Sequence, residues 1–386
     1  MPKRPSEPWV PWWQRVCRSV AMPFAALFTV SALMILLEAG AKTAGGWGLG
    51  LAFLVFLVLV WLSVAVHEAG HLLGSSLAGS HLLSAVVFWT EFHRTRYGWR
   101  VRWRRRLRRS PNGFAMACPA SSADLRWAAL CLLVGGPLTN GLVAAACLYG
   151  VALIDPGPAE HLLMSACLLN LVGLVVNLMP FATFGHATDG LQLLALRHLD
   201  AEDTPSIAYV RLQALSLEGV QAQALPEPLL QGLEAANPPW GSLLASWYRI
   251  VAARNGGDWS AMLERGDAFA ARFEAIEDDR ARAAWRSLQR HIEAELAFGR
   301  AMASADAAPL DGWIAEHADA WRRDFDWYVP HVLPRLEALA AAIRGERHRA
   351  AEALSRSRGR AEEAYDRATR AAEHALRERI EALLRC

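Results

Sequence analysis

The sequence predicts a mostly α-helical, polytopic membrane protein. It has about four transmembrane helices, a small membrane-associated β-sheet on the cytoplasmic side, and a C-terminal cytoplasmic domain of α-helices, solenoid or bundle-like. Three observations predict this. Apolar residues are 53% of the 386 and charged ones only 20%, with a mean hydropathy of +0.15. That excludes a disordered chain, which needs few apolar residues and a high net charge. The net charge of +2 conceals a segregation: apolar residues crowd into 20–190, and charges into 94–109 and 200–386. Four apolar runs then fill the first half, each long enough to be read as a membrane span.

The runs are 20–37, 43–66, 127–154 and 162–185, the last closed by Pro180 and its neighbours. The second holds 24 residues without a charge, roughly 36 Å of helix and enough to cross a bilayer. The first has too long a polar leader and too long an apolar stretch for a signal peptide. Flanking charge sets the orientation. Lys3, Arg4, Arg15 and Arg18 precede the first run, Lys42 alone follows it, ten arginines lie between the second and third, and 155–160 carries neither Lys nor Arg. The positive-inside rule puts both termini and the Arg-rich segment in the cytoplasm, and a bacterial inner membrane is the expected setting.

Between the second and third runs the pattern is not helical. Trp99, Val101 and Trp103 alternate with Arg100, Arg102 and Arg104, the period of a strand. Residues 84–92 read as its hairpin partner, with a turn in 93–96, and 114–116 adds a short strand after a Pro111–Asn112–Gly113 turn. The arginines are expected to form a solvated face that fixes topology; contact with anionic headgroups is the second reading. A membrane-pinned hairpin is a poor groove reader, so nucleic acid is not an expected partner.

From about residue 200 amphipathic helices are expected at 206–217, 240–254, 258–275, 280–302, 308–320 and 329–343, and one long charged helix over 346–385. The domain plan is a tail and first span (1–40), a core (41–200) carrying the hairpin 84–117, and a helical domain (201–386). Six scattered cysteines with no C-x-x-C pair argue against a disulfide framework and against a cysteine zinc site.

The chemistry sits in His67-Glu68-Ala69-Gly70-His71. Residues four apart share a helix face, so both imidazoles can hold one metal, and a carboxylate beside them can take a proton from water. At the end of a membrane span such groups are costly unless paired or metal-bound. A hydrolytic zinc site needs a third protein ligand and an open position. Asp189 is the leading candidate, with His186 a rival and an N-cap the structural alternative. Pro180, Gly185 and Gly190 interrupt the fourth run and imply a polar pocket. Gly135-Gly136-Pro137-Leu138-Thr139-Asn140 is expected to break the third, either for close helix packing or to face Asn140 toward the site.

Together these motifs resemble the site-2 protease family of intramembrane zinc metalloproteases, over about 47–199. His67-Glu68-Ala69-Gly70-His71 fits that family's first motif, Gly136-Pro137-Leu138-Thr139-Asn140 its central one, and Asn177-Leu178-Met179-Pro180 with Asp189-Gly190 its third. The resemblance implies Zn2+ held by His67, His71 and Asp189, Glu68 as general base, Asn177 and Pro180 on the substrate strand, and Asn140 supporting the site. It implies a transmembrane protein or peptide as substrate, unwound and held extended by strand addition to the sheet. The stretch between Pro180 and Asp189 is longer than the family pattern by about four residues, the segment near 155–160 is too short for a PDZ domain, and the helical half has no counterpart in the best-known members. That half is expected to meet a cytoplasmic partner. The competing reading is a catalytically silent membrane scaffold with a partner-binding helical domain.

Overall fold

The computed structural model describes residues 11–104, 113–183, 186–198, 205–235 and 240–385. Lys3, Arg4, Pro111, Asn112 and Gly185, named above, lie outside them, as do Arg105, Arg106, Arg108 and Arg109 of the ten arginines counted between the second and third runs. The chain is mostly helical and divides into two compact units, Met1–Arg94 with Trp99–Ala201 and Thr95–Gly98 with Glu202–Cys386.

In the first unit, residues Trp12–Leu77 are helical throughout, and one straight rod would be roughly 100 Å long. The chain instead folds back between Lys42 and Gly48. A side chain at Gly40 would meet the carbonyl of Gly48 and, at 2.9 Å, the methyl of Ala52. Beyond this reversal Ala32 and Leu36 pack on Ala52 and Phe56. The two arms are α1 (Trp12–Lys42) and α2 (Gly48–Leu77). With α3 (Leu125–Val151) and α4 (Pro158–Leu178) they are four helices long and apolar enough to cross a membrane. Their outward faces carry bare Leu, Val and Phe, while serines pin neighbours: Ser165 Oγ donates to Ala32 O (3.0 Å) and Ser63 Oγ to Leu169 O (3.2 Å), a common device between apolar helices.

α3 is not broken at Gly135-Gly136-Pro137, contrary to expectation; it is continuous with Pro137 inside it. Proline removes one N–H, and glycine before it offers no Cβ to clash with the ring. The glycines serve packing: a side chain at Gly70 would run into Gly135 O, and one at Gly74 into Cys131 O, so α2 and α3 cross backbone to backbone. Asp124 starts α3 by accepting from the Arg126 and Trp127 amides at 2.8 and 3.1 Å, the usual N-cap role. α4 ends at Leu178, before Pro180 rather than at 185.

The sheet between α2 and α3 is antiparallel with order β3-β2-β1-β4: β1 His81–Val87, β2 Thr90–Thr95, β3 Gly98–Trp103, β4 Gly113–Cys118. The expected strand 84–92 is two strands, joined by a tight turn at Phe88–Trp89 where Phe88 takes φ 50. Two bulky apolar residues carry no turn signal, which is why the sequence hides it. β3 also inverts the expected exposure. Trp99, Val101 and Trp103 are exposed, whereas Arg102 folds onto buried Glu91 at 2.7 Å.

The second unit runs α6 (Pro205–Glu218), α7 (Glu227–Glu234), α8 (Trp240–Gly256), α9 (Trp259–Glu274), α10 (Asp279–Ser304), α11 (Ala308–Asp324), α12 (Val332–Ile343), α13 (Arg347–Glu362) and α14 (Arg367–Leu383); α5 precedes these and belongs to the site below. Successive helices share three apolar clusters, around Leu212 and Leu233, around Ile250 and Phe269, and around Phe298, Trp321 and Leu339. The expected single helix over 346–385 is two. Asp366 takes the Thr369 amide (3.0 Å) and starts a new helix, while Gly359 stays inside α13. α14 then returns to the start of the unit: Asp366 accepts from Ser216 Oγ (2.8 Å), and Arg379 donates to the carbonyls of Arg254 (3.0 Å) and Asn255 (2.6 Å). The array closes on itself instead of extending as an open stack.

Candidate metal centre

α2 places His67 and His71 one turn apart, with Glu68 beside them, and all three are buried. The imidazoles meet nearly edge-on, with Nε2 atoms 3.1 Å apart. The third member comes from 118 residues further along the chain. After α4, the chain forms a two-residue hairpin, β5 (Ala182–Thr183) with β6 (His186–Ala187), and enters the short helix α5 (Asp189–Ala195). This hairpin lies between Pro180 and Asp189. Its base is tied: Thr188 N donates to Phe181 O (3.0 Å), Thr188 Oγ1 donates to Met179 O (2.6 Å), and the same oxygen accepts from Leu191 N (3.3 Å). Thr188 is therefore the cap of α5, and Asp189 its first residue. Gly190 lets α5 abut the end of α4, since any side chain there would strike Leu178 O.

The result is convergence. Asp189 Oδ2 lies 3.2 Å from His67 Nε2 and 3.5 Å from His71 Nε2. Among the described residues, His67, His71 and Asp189 form a buried group whose ligand atoms lie within 4.8 Å of one another and could hold a metal ion. His186 is exposed on β6 and outside that group.

The far nitrogens fix the tautomers. His71 Nδ1 donates to Leu132 O (2.6 Å), and His67 Nδ1 donates to Asn140 Oδ1 (3.2 Å). Each Nε2 is then a lone pair, and the carboxylate adds a third acceptor aimed at the same point. Three acceptors without a donor repel one another, so a cation or a proton is required between them. Two imidazole nitrogens and one carboxylate oxygen suit zinc with a fourth position open, and Nδ1 partners of this kind are the usual outer support of a metal-bound histidine.

The surroundings are cut to this arrangement. A methyl at Gly136 would sit 2.6 Å from His71 Cε1 and Nε2 and 2.9 Å from His67 Cε1, so only glycine leaves the rings their place. Asn140 is fully buried and needs Gly173 opposite, where a side chain would collide with its Nδ2. Among the described residues that Nδ2 has no protein partner, and neither does Glu68 Oε2.

A cavity of about 600 Å3 opens on the group, lined among others by His67, Glu68, His71, Gly113, Asn177 and His186. Phe114 and Ala115 of the edge strand β4 continue the wall. Gly113 abuts Glu68 Oε1, where a side chain would displace the carboxylate. Asn177 reaches the wall while its Nδ2 bonds Gly173 O of its own helix (2.9 Å). Pro180 is half-buried beyond α4 and does not line the cavity. Sequence reasoning missed Gly113, Gly173, Thr188 and the Leu132 carbonyl. Only Gly113, next to Asn112 in a turn signature, carried a local cue.

No family model matches this chain, and no curated protein or solved structure matches it either.

Proposed function

We propose that the chain is an intramembrane zinc endopeptidase of the site-2 protease type, cutting a membrane-spanning or membrane-proximal segment of a substrate protein. The observation that carries this is the meeting of His67, His71 and Asp189, from segments far apart in sequence, on one cavity that also holds Glu68. Zinc, when bound, supplies Lewis acidity, polarising a carbonyl and lowering the pKa of water.

The chain's own residues do the rest. Glu68, facing the cavity beside the ligand group, takes a proton from the attacking water and returns it to the leaving amine. Asn140 and the Leu132 carbonyl hold the imidazoles in the ligating tautomer. The edge strand β4, whose Gly113, Phe114 and Ala115 line the cavity, pairs with an unwound substrate segment and replaces its lost helical hydrogen bonds. Asn177 contacts that segment from the opposite wall, and Pro180 acts by ending α4 rather than by touching it. Exposed Trp99 and Trp103 on β3 suit a sheet resting at the membrane interface, where such side chains concentrate. The arginine distribution supports a bacterial inner membrane with both termini cytoplasmic, and the helical unit serves cytoplasmic partners.

The test compares membrane proteomes of cells carrying the wild type and Glu68→Gln, together with zinc content of both purified proteins. Stoichiometric zinc in both, with membrane-segment fragments lost only in the variant, is expected. Unchanged fragments would reject the protease reading, and absence of zinc from the wild type would leave the silent scaffold.

A further inference from the structure

We propose that β6 is a second binding edge for the extended substrate segment, and that the backbone N–H of Ala187 donates to one of that segment's carbonyls. This rests on the endopeptidase reading above. Consecutive residues of a strand point to opposite faces, so a wall made of consecutive residues is a strand edge. Gly113, Phe114 and Ala115 of β4 line the cavity in this way, and so do His186 and Ala187 of β6. β4 stands at the end of its sheet, with β1 on its other side. In the hairpin, Ala187 lines the cavity while its ladder partner Ala182 does not. The cavity therefore lies on the edge of β6 that is turned away from β5.

The register decides which groups this edge offers. Antiparallel pairs alternate between those that bond inward and those whose N–H and C=O point outward. Thr188 N donates inward to Phe181 O (3.0 Å), so the next pair, Ala182 with Ala187, points its backbone groups outward. On that side the Ala187 carbonyl accepts from Gln192 Nε2 (3.3 Å). This bond braces the strand against α5 and leaves the N–H as the group the edge presents. A donor reads a carbonyl, and an extended peptide turns one toward each of its edges every second residue. Unwinding a helix frees all of these carbonyls, and a single strand such as β4 satisfies only those on one side.

The test measures two hydroxamates by calorimetry against the purified, zinc-loaded full chain. Acetohydroxamate reaches the metal centre alone, and an acylated Leu-Ala-Leu hydroxamate also extends along the cavity. Ala187→Pro removes only the outward N–H, since a proline on a strand edge costs no ladder bond, and Ala187→Gly keeps it. Ala187→Pro should bind the peptide hydroxamate about tenfold more weakly, the effect of one backbone hydrogen bond. Its zinc content and its affinity for acetohydroxamate should not change, and Ala187→Gly should match wild type. Equal peptide affinity in Ala187→Pro and wild type overturns the second edge and leaves the endopeptidase reading intact. An equal loss in both variants assigns the effect to hairpin stiffness and overturns it too. Should Ala187→Pro lose zinc, the wild type decides: a diazirine-bearing peptide hydroxamate, photolysed and mapped by mass spectrometry, should label 186–187 as well as 113–115. Label confined to 113–115 overturns the proposal. Failure of both hydroxamates to bind the wild type rejects the endopeptidase reading, and this proposal with it.

Discussion

At the scale of single residues, the candidate metal centre depends on groups that would never touch an ion held there. Asn140 is the clearest: fully buried, it spends Oδ1 on His67 Nδ1. Without it the imidazole is free to rotate or to take the wrong tautomer. Asn140→Ala should weaken zinc binding about 10–100-fold, read by competition with a chromogenic chelator, while the protein still purifies as an intact membrane protein. Gly136→Ala acts by bulk. Its methyl would stand 2.6 Å from two atoms of the His71 ring, so the ring must leave its position and zinc should be lost from the purified variant. Full zinc content in Gly136→Ala would mean that the imidazoles have slack that this packing denies them.

At the scale of elements, the third ligand depends on how a short hairpin is anchored. Thr188 Oγ1 joins Met179 O, Phe181 N and Leu191 N, and so fixes the end of α4, the base of the β5–β6 hairpin and the start of α5 together. Thr188→Val keeps the shape and removes these bonds, which costs about 1–2 kcal/mol for the cap. Asp189 is the adjacent residue, so zinc affinity should drop about tenfold while Thr188→Ser stays close to wild type. An equal effect of both variants would point to packing of the methyl group. The same elements show what was legible beforehand. The four apolar helices announce themselves by length and composition, and the His67/His71 pair by its four-residue spacing. Asp189 could be named from Gly190 and the orientation of its run. The hairpin that seats it could not, because two-residue strands hold no period. The Phe88–Trp89 turn and the division of 346–385 at Asp366 were hidden for related reasons: one turn is built from apolar residues, and the other break rests on a single capping carboxylate in a helix-rich composition.

At the scale of the whole molecule, the two units draw stability from different sources, and the difference is measurable. On the function proposed above, the first unit is tied to an ion at His67, His71 and Asp189. A ligand bound only by the folded state adds RT ln(1 + [L]/Kd), so a zinc chelator at pH 7 should lower the unfolding temperature of this unit and leave the other where it was. The second unit is tied to pH through its buried ionic cluster. Burial holds His331 down at about 4, with Arg335 and His291 adding to the effect and Glu373 and Glu295 opposing it. Burial also pushes the Glu295 carboxyl up, but Arg254 and Arg335 outweigh this and hold it well below the usual carboxylate range. The signs are therefore separable. Between pH 6.5 and about 4 the unfolded chain binds a proton at residue 331 that the folded unit refuses, so stability falls as pH falls through that window. The full loss is about 3 kcal/mol, since each pH unit across the window weakens the fold by about 1.4 kcal/mol. Glu295 adds its own loss only below the ordinary carboxylate range. In chelator-treated protein, melting of the helical unit followed from pH 7 to pH 4 should show this fall, and His331→Gln should flatten it between pH 6.5 and 4.5 while leaving the steeper loss at lower pH. A slope unaltered in His331→Gln would place the proton uptake on another group of the cluster.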